Sequence, residues 1–319
     1  MRAELRPSNL GEILDRTAHM YRGNFLLYLG IAAVAYAFVV VLKLPDAMLL
    51  FGPLRGYMRH HPAINGIILL LINMLSLLPI SIGAAAVMRA VARNYLGEST
   101  TVAGSYAAIR PHWSRYLLIL LAIYVYSLVP FAVALGLAVA GITLVPAGAA
   151  RTLVIFLEVL LGIAGGVFLI RWMLGWALAI PAALMEDLTV HRGLQRSRSL
   201  TRGSIGRIFV MLLLVGILMT FVQYAVLTPM FVVFFKSRGH ALFWTQVLGT
   251  LGGALGGTFV LPVYSIALTL FYYDVRIRKE GFDVEWLMQQ AGLDASAAGE
   301  PAASRTPISP QPEPPATAP

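Results

Sequence analysis

Six stretches of this chain run almost without polar side chains, at roughly residues 25–43, 64–88, 116–141, 154–185, 208–235 and 242–273. A helix needs about 20 apolar residues to cross a bilayer, so each stretch is predicted to be a transmembrane helix. The apolarity is continuous rather than alternating, which excludes the strands of a membrane β-barrel. The third and fourth stretches exceed a perpendicular crossing and are expected to tilt, kink or run past the membrane. Dividing them further would give eight spans. The expected fold is an all-α, polytopic bundle of about six transmembrane helices.

The polar segments between these runs have their own pattern. Residues 9–22 read as an amphipathic helix, with Leu10, Ile13, Leu14, Thr17, Ala18 and Tyr21 on one face and Glu12, Asp15, Arg16, His19 and Arg22 on the other. Asn9 followed by Glu12 has the form of a capping box. Such a helix can lie in the membrane interface. Its phrase LDRTAHMYRG at 14–23 returns as LQRSRSLTRG at 194–203. Leu14 falls on Leu194, Arg16 on Arg196, Arg22 on Arg202 and Gly23 on Gly203. A fainter copy pairs IRPHWSRYLL at 109–118 with TRGSIGRIFV at 201–210, so that Arg110 matches Arg202 and Arg115 matches Arg207. The second span after each phrase carries a proline, at Pro79, Pro181 and Pro262. The chain thus divides into three units, each a basic interfacial segment followed by a two-span hairpin. Internal repeats are common in membrane proteins. Equal demands at three membrane entry points would give the same pattern without a repeat.

Composition agrees. Charged residues make up 12% of the 319 and hydrophobic residues 58%, against roughly a quarter charged in soluble domains. The net charge of +9 would suit nucleic acid, but its distribution points elsewhere. With the N-terminus inside, cytoplasmic segments hold 17 of the 24 Lys and Arg, so the positive-inside rule puts both termini in the cytoplasm of a cell (inner) membrane protein and leaves no need for nucleic acid. The first run follows an acid-containing start without a small-residue cleavage site and reads as a retained span. The absence of cysteine removes disulfides, thiolate metal sites and cysteine nucleophiles. The expected organisation is an amphipathic helix over 1–24, the membrane domain over 25–273, a cytoplasmic juxtamembrane segment over 274–295 and a disordered Pro/Ala-rich tail over 296–319.

Few residues are candidates for chemistry. Arg171 lies in an apolar run, about 20 Å from its cytoplasmic end if the run is one helix, where an arginine costs roughly 2.5–3.5 kcal/mol. It either lines a polar path as an anion site or locks packing by donating to Gln223, Tyr224, Gln246 or carbonyls freed by Pro181. Glu158 lies 13 residues earlier on another side of the same helix and is placed near the outer surface. Gly249, Gly253 and Gly257, like Gly162 and Gly166, fall four apart and are expected to be helix-packing surfaces, within one chain or between two. Arg192, Arg196, Arg198, Arg202 and Arg207, with Arg16 and Arg22 from the first phrase, are candidates for anionic lipid headgroups. Each can contribute about 1 kcal/mol, although topology alone would also place them there. His60-His61 lacks the further ligands of a metal site. Trp113, Trp172, Trp176 and Trp244 read as interface or packing aromatics.

The phrases LRPSNLGEILDRTAHMYRGNF, PAALMEDLTVHRGLQRSRSLTRGSIGRIF and ALTLFYYDVRIRKEGFDVEWL resemble the membrane domain attached to some bacterial glycerophosphoryl diester phosphodiesterases, which also occurs alone. The resemblance extends to about residue 290 and implies a multi-span helical domain without catalysis, since the phosphodiesterase activity resides in a separate barrel domain that this chain has no room for. His191-Arg192-Gly193 spells a tripeptide of that barrel, but no acidic and histidine partners surround it for metal-assisted cleavage. The chain is therefore expected to be a non-catalytic membrane protein without cofactor or metal. It would engage anionic lipids or a membrane protein partner through its arginine segments. The alternative is a small transporter or lipid-handling protein with Arg171 on a polar path.

Overall fold

The computed structural model describes residues 7–281, apart from 52–54, 145, 147 and 237–241. The expected tail and most of the juxtamembrane segment lie outside the described residues. Among these, the regular elements are all helices: α1 (Leu10–Gly23), α2 (Phe25–Phe51), α3 (Arg55–His60), α4 (Pro62–Tyr95), α5 (Val102–Ile109), α6 (Trp113–Leu144), α7 (Ala149–Trp176), α8 (Ala179–Met185), α9 (Val190–Thr201), α10 (Ile205–Lys236) and α11 (Leu242–Glu280). Six segments are long and apolar enough to cross a membrane: α2, α4, α6, α7 with α8, α10 and α11. The chain folds as a multi-pass helical membrane bundle. Apart from the short α3 and α8, the order short helix, long helix, long helix occurs three times, beginning at α1, α5 and α9. Residues before α1 reach the end of α11, where the Ser8 N–H donates to Asp274 at 2.7 Å, so both described ends lie at one end of the bundle.

That end is basic, and local sequence explains its short helices. Asn9 Oδ1 accepts from the Glu12 N–H at 2.8 Å while the Glu12 carboxylate accepts from the Asn9 N–H at 3.0 Å, the reciprocal cap expected of the first phrase. Thr101 caps α5 by accepting from Gly104 N–H at 3.1 Å. Ile13 and Thr17 of α1 are buried, and α1 rests on α11, α2 and α10.

Helix α11 is the central post. In its most apolar window 72% of residues are buried, against none in α7. It packs on α2, α4 and α10, while α7 packs mainly on α6 at the periphery. Between helices in lipid the gain comes from close packing rather than from escape from water. The core accordingly uses small residues as spacers: Ala84, Ala85 and Ala86 beside Tyr28, Ile31, Phe271 and Tyr272. At Gly83 a Cβ would stand 2.5 Å from the Cβ of Ala35, so α2 and α4 cross in close contact there.

The fourth apolar run is not one helix. It breaks at Ala177–Leu178 between α7 and α8. Pro181, the third residue of α8, has no N–H to continue the ladder back to α7. The polar groups left open are taken up by α9. The Gly175 carbonyl accepts from Ser197 Oγ at 2.8 Å and from Thr201 Oγ1 at 3.3 Å, and Ser197 Oγ accepts from the Leu178 N–H at 3.1 Å. Gly193 lets α9 approach α8: a Cβ there would lie 3.2 Å from the Cβ of Ala183.

Candidate functional site

The basic phrases meet α11 in a network of charges. Asp274, 3% exposed, receives the Arg207 guanidinium at 2.9 Å and that of Arg278 at 3.1 Å. Arg278 and Arg207 also donate to the Ser8 carbonyl, at 2.8 and 3.0 Å. Arg196 is held between Glu186 at 2.8 Å and Glu280 at 2.6 Å. Its hydrogen bond to Glu280 raises its pKa further above the ordinary arginine value. Tyr272 Oη donates to Glu186 at 2.7 Å, and Lys279 donates to the carbonyls of Ser199 and Arg202. Two of the expected headgroup arginines, Arg196 and Arg207, are thereby neutralised inside the protein. Composition could not separate them from the rest, because Asp274 lies 67 residues from Arg207 and Glu280 lies 84 from Arg196, while Glu186, 10 residues from Arg196, is on the preceding helix end.

The remaining arginines of that region gather differently. Arg171, Arg198 and Arg202 line one open groove of about 370 Å³ with Phe168, Trp172, Gly175, Thr201 and Ile205. All three arginines are exposed, and none has a carboxylate within salt-bridge distance among the described residues. The Arg198 guanidinium is stacked over Trp172 at 5.1 Å and over Trp176 at 4.6 Å. This holds its plane while leaving its edge donors open. Trp172 Nε1–H is buried without an acceptor among the described residues. The groove thus presents three guanidinium groups with net positive charge and no carboxylate among the described residues.

Its assembly corrects the expected depth of Arg171. Because α7 ends at Trp176 and α9 bonds to Gly175, Arg171 is about one turn, roughly 6 Å, from the level of the basic helix rather than 20 Å from it. Nor does it meet Gln223 or Gln246. Those two line a separate cavity with Gly249, Gly253, Lys43 and Asp46.

The other singled-out residues are placed as follows. Arg22 is exposed at the mouth of an apolar groove of about 450 Å³ between α1, α10 and α11, lined by Leu14, Leu218 and Phe259. Tyr21 Oη closes it by donating to the Phe259 carbonyl at 3.2 Å, and burial raises the Tyr21 pKa. Arg16 lies beside Tyr95. Arg192 is exposed on α9, where His191-Arg192-Gly193 forms a helical turn and no strand end. Glu158 turns onto Gly141, near the end of α6 remote from the basic helices, and is half-buried there. Gly253, Gly256 and Gly257 make room within the chain for the side chains of Gln223 and Tyr36, so this stripe packs intramolecularly. At Gly162 and Gly166 an added Cβ would meet nothing within 4 Å, so no close helix contact forms there among the described residues. Among the described residues no cluster of three or more His, Cys, Asp or Glu is poised to hold a metal.

Comparison of the chain with protein-family models, with curated proteins and with solved structures gave no match in any of the three.

Proposed function

We propose that this is a non-catalytic membrane protein that holds anionic lipid headgroups at its basic end, which faces the cytoplasm, with the Arg171–Arg198–Arg202 groove as the principal contact. One observation carries the reading. Three arginines from α7, α9 and the turn after α9 converge without a carboxylate, while Arg196 and Arg207 of the same segment are neutralised. A guanidinium forks well onto phosphate oxygens. The groove adjoins the exposed apolar side of α7, where Phe168 and Val167 are open to acyl chains. Arg22, the partner of Arg202 in the repeated phrase, stands at a second, apolar groove, which supports a lipid ligand over a soluble anion. The family resemblance, implying no catalysis, fits the same reading.

The test is extraction into native lipid discs followed by mass spectrometry of retained lipid and protein. An anionic phospholipid should be enriched. The triple variant Arg171→Gln, Arg198→Gln, Arg202→Gln should weaken its retention by about 100-fold, at about 1 kcal/mol per arginine. Unchanged enrichment in the triple variant sinks the assignment. A stoichiometric protein in place of lipid would give the groove to a partner with an acidic segment.

A further inference from the structure

The end of the bundle remote from the arginines holds a cavity that the basic groove does not explain. It measures about 450 Å³ and is walled by α2, α4, α6, α10 and α11, within the size range of small-molecule sites. Tyr36 and Tyr124 lie about 17 Å along their helices from the basic end, and Lys43 and Asp46 about 27–32 Å. The cavity therefore runs from mid-membrane towards the far end.

Its lining is polar in a way that lipid-facing packing does not require. Asp46 is 7% exposed, and its Oδ1 is buried without a hydrogen-bond partner among the described residues. Lys43 lies one turn away on the same helix but donates to Asn73 Oδ1 at 3.1 Å. No ion pair joins it to Asp46 among the described residues. The side chains of Tyr36, Tyr124, Gln223 and Gln246 line the same space and also have no hydrogen-bond partner among the described residues. Leaving a buried carboxylate oxygen such as Asp46 Oδ1 unpaired in a protein interior is costly, and ionisable residues inside a membrane mark binding sites or pathways. The glycines of α11 serve this space: Gly249 and Gly253 form part of its wall, and Gly256 and Gly257 admit Gln223 and Tyr36.

We infer that this cavity binds a small zwitterion carrying a primary ammonium and an acidic oxygen group. The ammonium supplies the donors that Asp46 lacks. The acidic group takes the Lys43 protons that Asn73 leaves over, and the two amides and two phenols surround the remainder. A bare anion would leave Asp46 uncompensated, and a bare cation would face Lys43. The same chemistry belongs to a free α-amino acid and to the headgroup of an ethanolamine phospholipid. Tyr36, Gln223 and Gly253 also line a neighbouring cleft of about 500 Å³ on the side of exposed Tyr224, through which a headgroup could enter from the membrane. The inference is independent of the lipid contact proposed at the opposite end.

The experiment uses the full chain in discs of phosphatidylcholine and phosphatidylglycerol, free of ethanolamine lipid. Thermal unfolding is followed with each common α-amino acid added singly, with phosphatidylethanolamine doped into the disc, and with acetate and ethylammonium as single-charge controls. At least one zwitterion should raise the unfolding midpoint where both controls do not. Stabilisation by an amino acid identifies a solute site, and stabilisation by the doped lipid alone identifies a headgroup site. Asp46→Asn and Tyr36→Phe should each weaken the effect, Asp46→Asn by about tenfold or more in apparent affinity, as expected for one charge-assisted hydrogen bond. Arg171→Gln, at the other end, should leave it unchanged. The inference is overturned if no zwitterion stabilises, if the controls act equally, or if a folded Asp46→Asn protein responds like the parent.

Discussion

Arg207, in the first turn of α10, meets Asp274, near the end of α11, at 2.9 Å. The pair closes the third hairpin at its basic end. Arg115, in the first turn of α6, does the same with Asp187, which follows α8, at 2.6 Å. In the first hairpin Asn94 near the end of α4 donates to Tyr28 Oη in the first turn of α2 at 2.9 Å. Each latch thus joins the start of a unit's first span to the end of its second. The three differ in burial, and this sets what each is worth.

The Arg207–Asp274 latch is the one the fold depends on. Asp274 is nearly enclosed, and two guanidinium groups and the Ser8 N–H converge on it. Asp274→Ala leaves those cations without their carboxylate. The expected loss is about 3 kcal/mol, at the low end for a broken buried pair because the arginines are partly exposed. The unfolding midpoint in detergent should fall clearly. A midpoint unchanged from the parent would show that the network contributes only topology.

The Arg115–Asp187 latch is exposed and should register in pH dependence more than in stability at neutrality. The hydrogen bond from Arg115 lowers the Asp187 pKa below its ordinary 3.8. A lowered carboxylate pKa adds stability above the unfolded value and loses it as pH falls through the folded value. Wild type and Asp187→Asn should therefore differ by a small, constant amount above about pH 5, and the difference should vanish in stronger acid. Unfolding midpoints of both proteins across this range decide it; a difference that grows on acidification contradicts the assignment.

Ser197 secures the helix break. It donates to the Gly175 carbonyl and accepts from the Leu178 N–H, so Ser197→Ala orphans the buried Leu178 N–H and leaves the Gly175 carbonyl only the longer bond from Thr201 Oγ1. The expected cost is about 1–3 kcal/mol, with loosening of α9 from α7. Ser199→Ala, whose exposed hydroxyl bonds only within its own helix, is the control and should be neutral. Hydrogen exchange over residues 172–201 should rise in the first variant alone.

Much of the fold was legible because long apolar runs leave a membrane chain few alternatives. The repeated phrase also reported a true structural correspondence. Arg110 and Arg202 both stand at the end of a short helix, and Arg115 and Arg207 both occupy the third position of the long helix that follows. The break after Trp176 was hidden, since Ala177 and Leu178 continue the apolar run and only Pro181 hinted at an interruption. An unbroken run puts Arg171 deep in the membrane; the break at Ala177–Leu178 is what brings it to Arg198. The arginines' division into neutralised and unpaired groups was equally hidden, because it depends on which carboxylates α11 brings back to α9. Lys43 and Asp46 stand at and beyond the end of the first apolar run, and only the continuation of α2 to Phe51 brings them into the bundle with Asn73.

The glycine patterns make the sharpest contrast between similar sequence motifs. Gly83 lies where α2 and α4 touch, and an added Cβ would stand 2.5 Å from that of Ala35. Both atoms are fixed to helix backbone, so Gly83→Val must push the helices apart, at a cost of about 1–3 kcal/mol for overpacking. Gly257→Ala would place its methyl against the Tyr36 ring. That ring ends a flexible side chain bordering the cavity, so this variant should lose less than Gly83→Val but should displace Tyr36 and impair the zwitterion response. Gly162→Ala and Gly166→Ala meet nothing within 4 Å, and alanine is the better helix former. These two should unfold at or slightly above the parent midpoint. Size-exclusion chromatography in detergent completes the test. If Gly162→Ala changes the oligomeric state while leaving the fold intact, the α7 pair is an interface between copies. If it changes neither, that face of α7 meets only lipid.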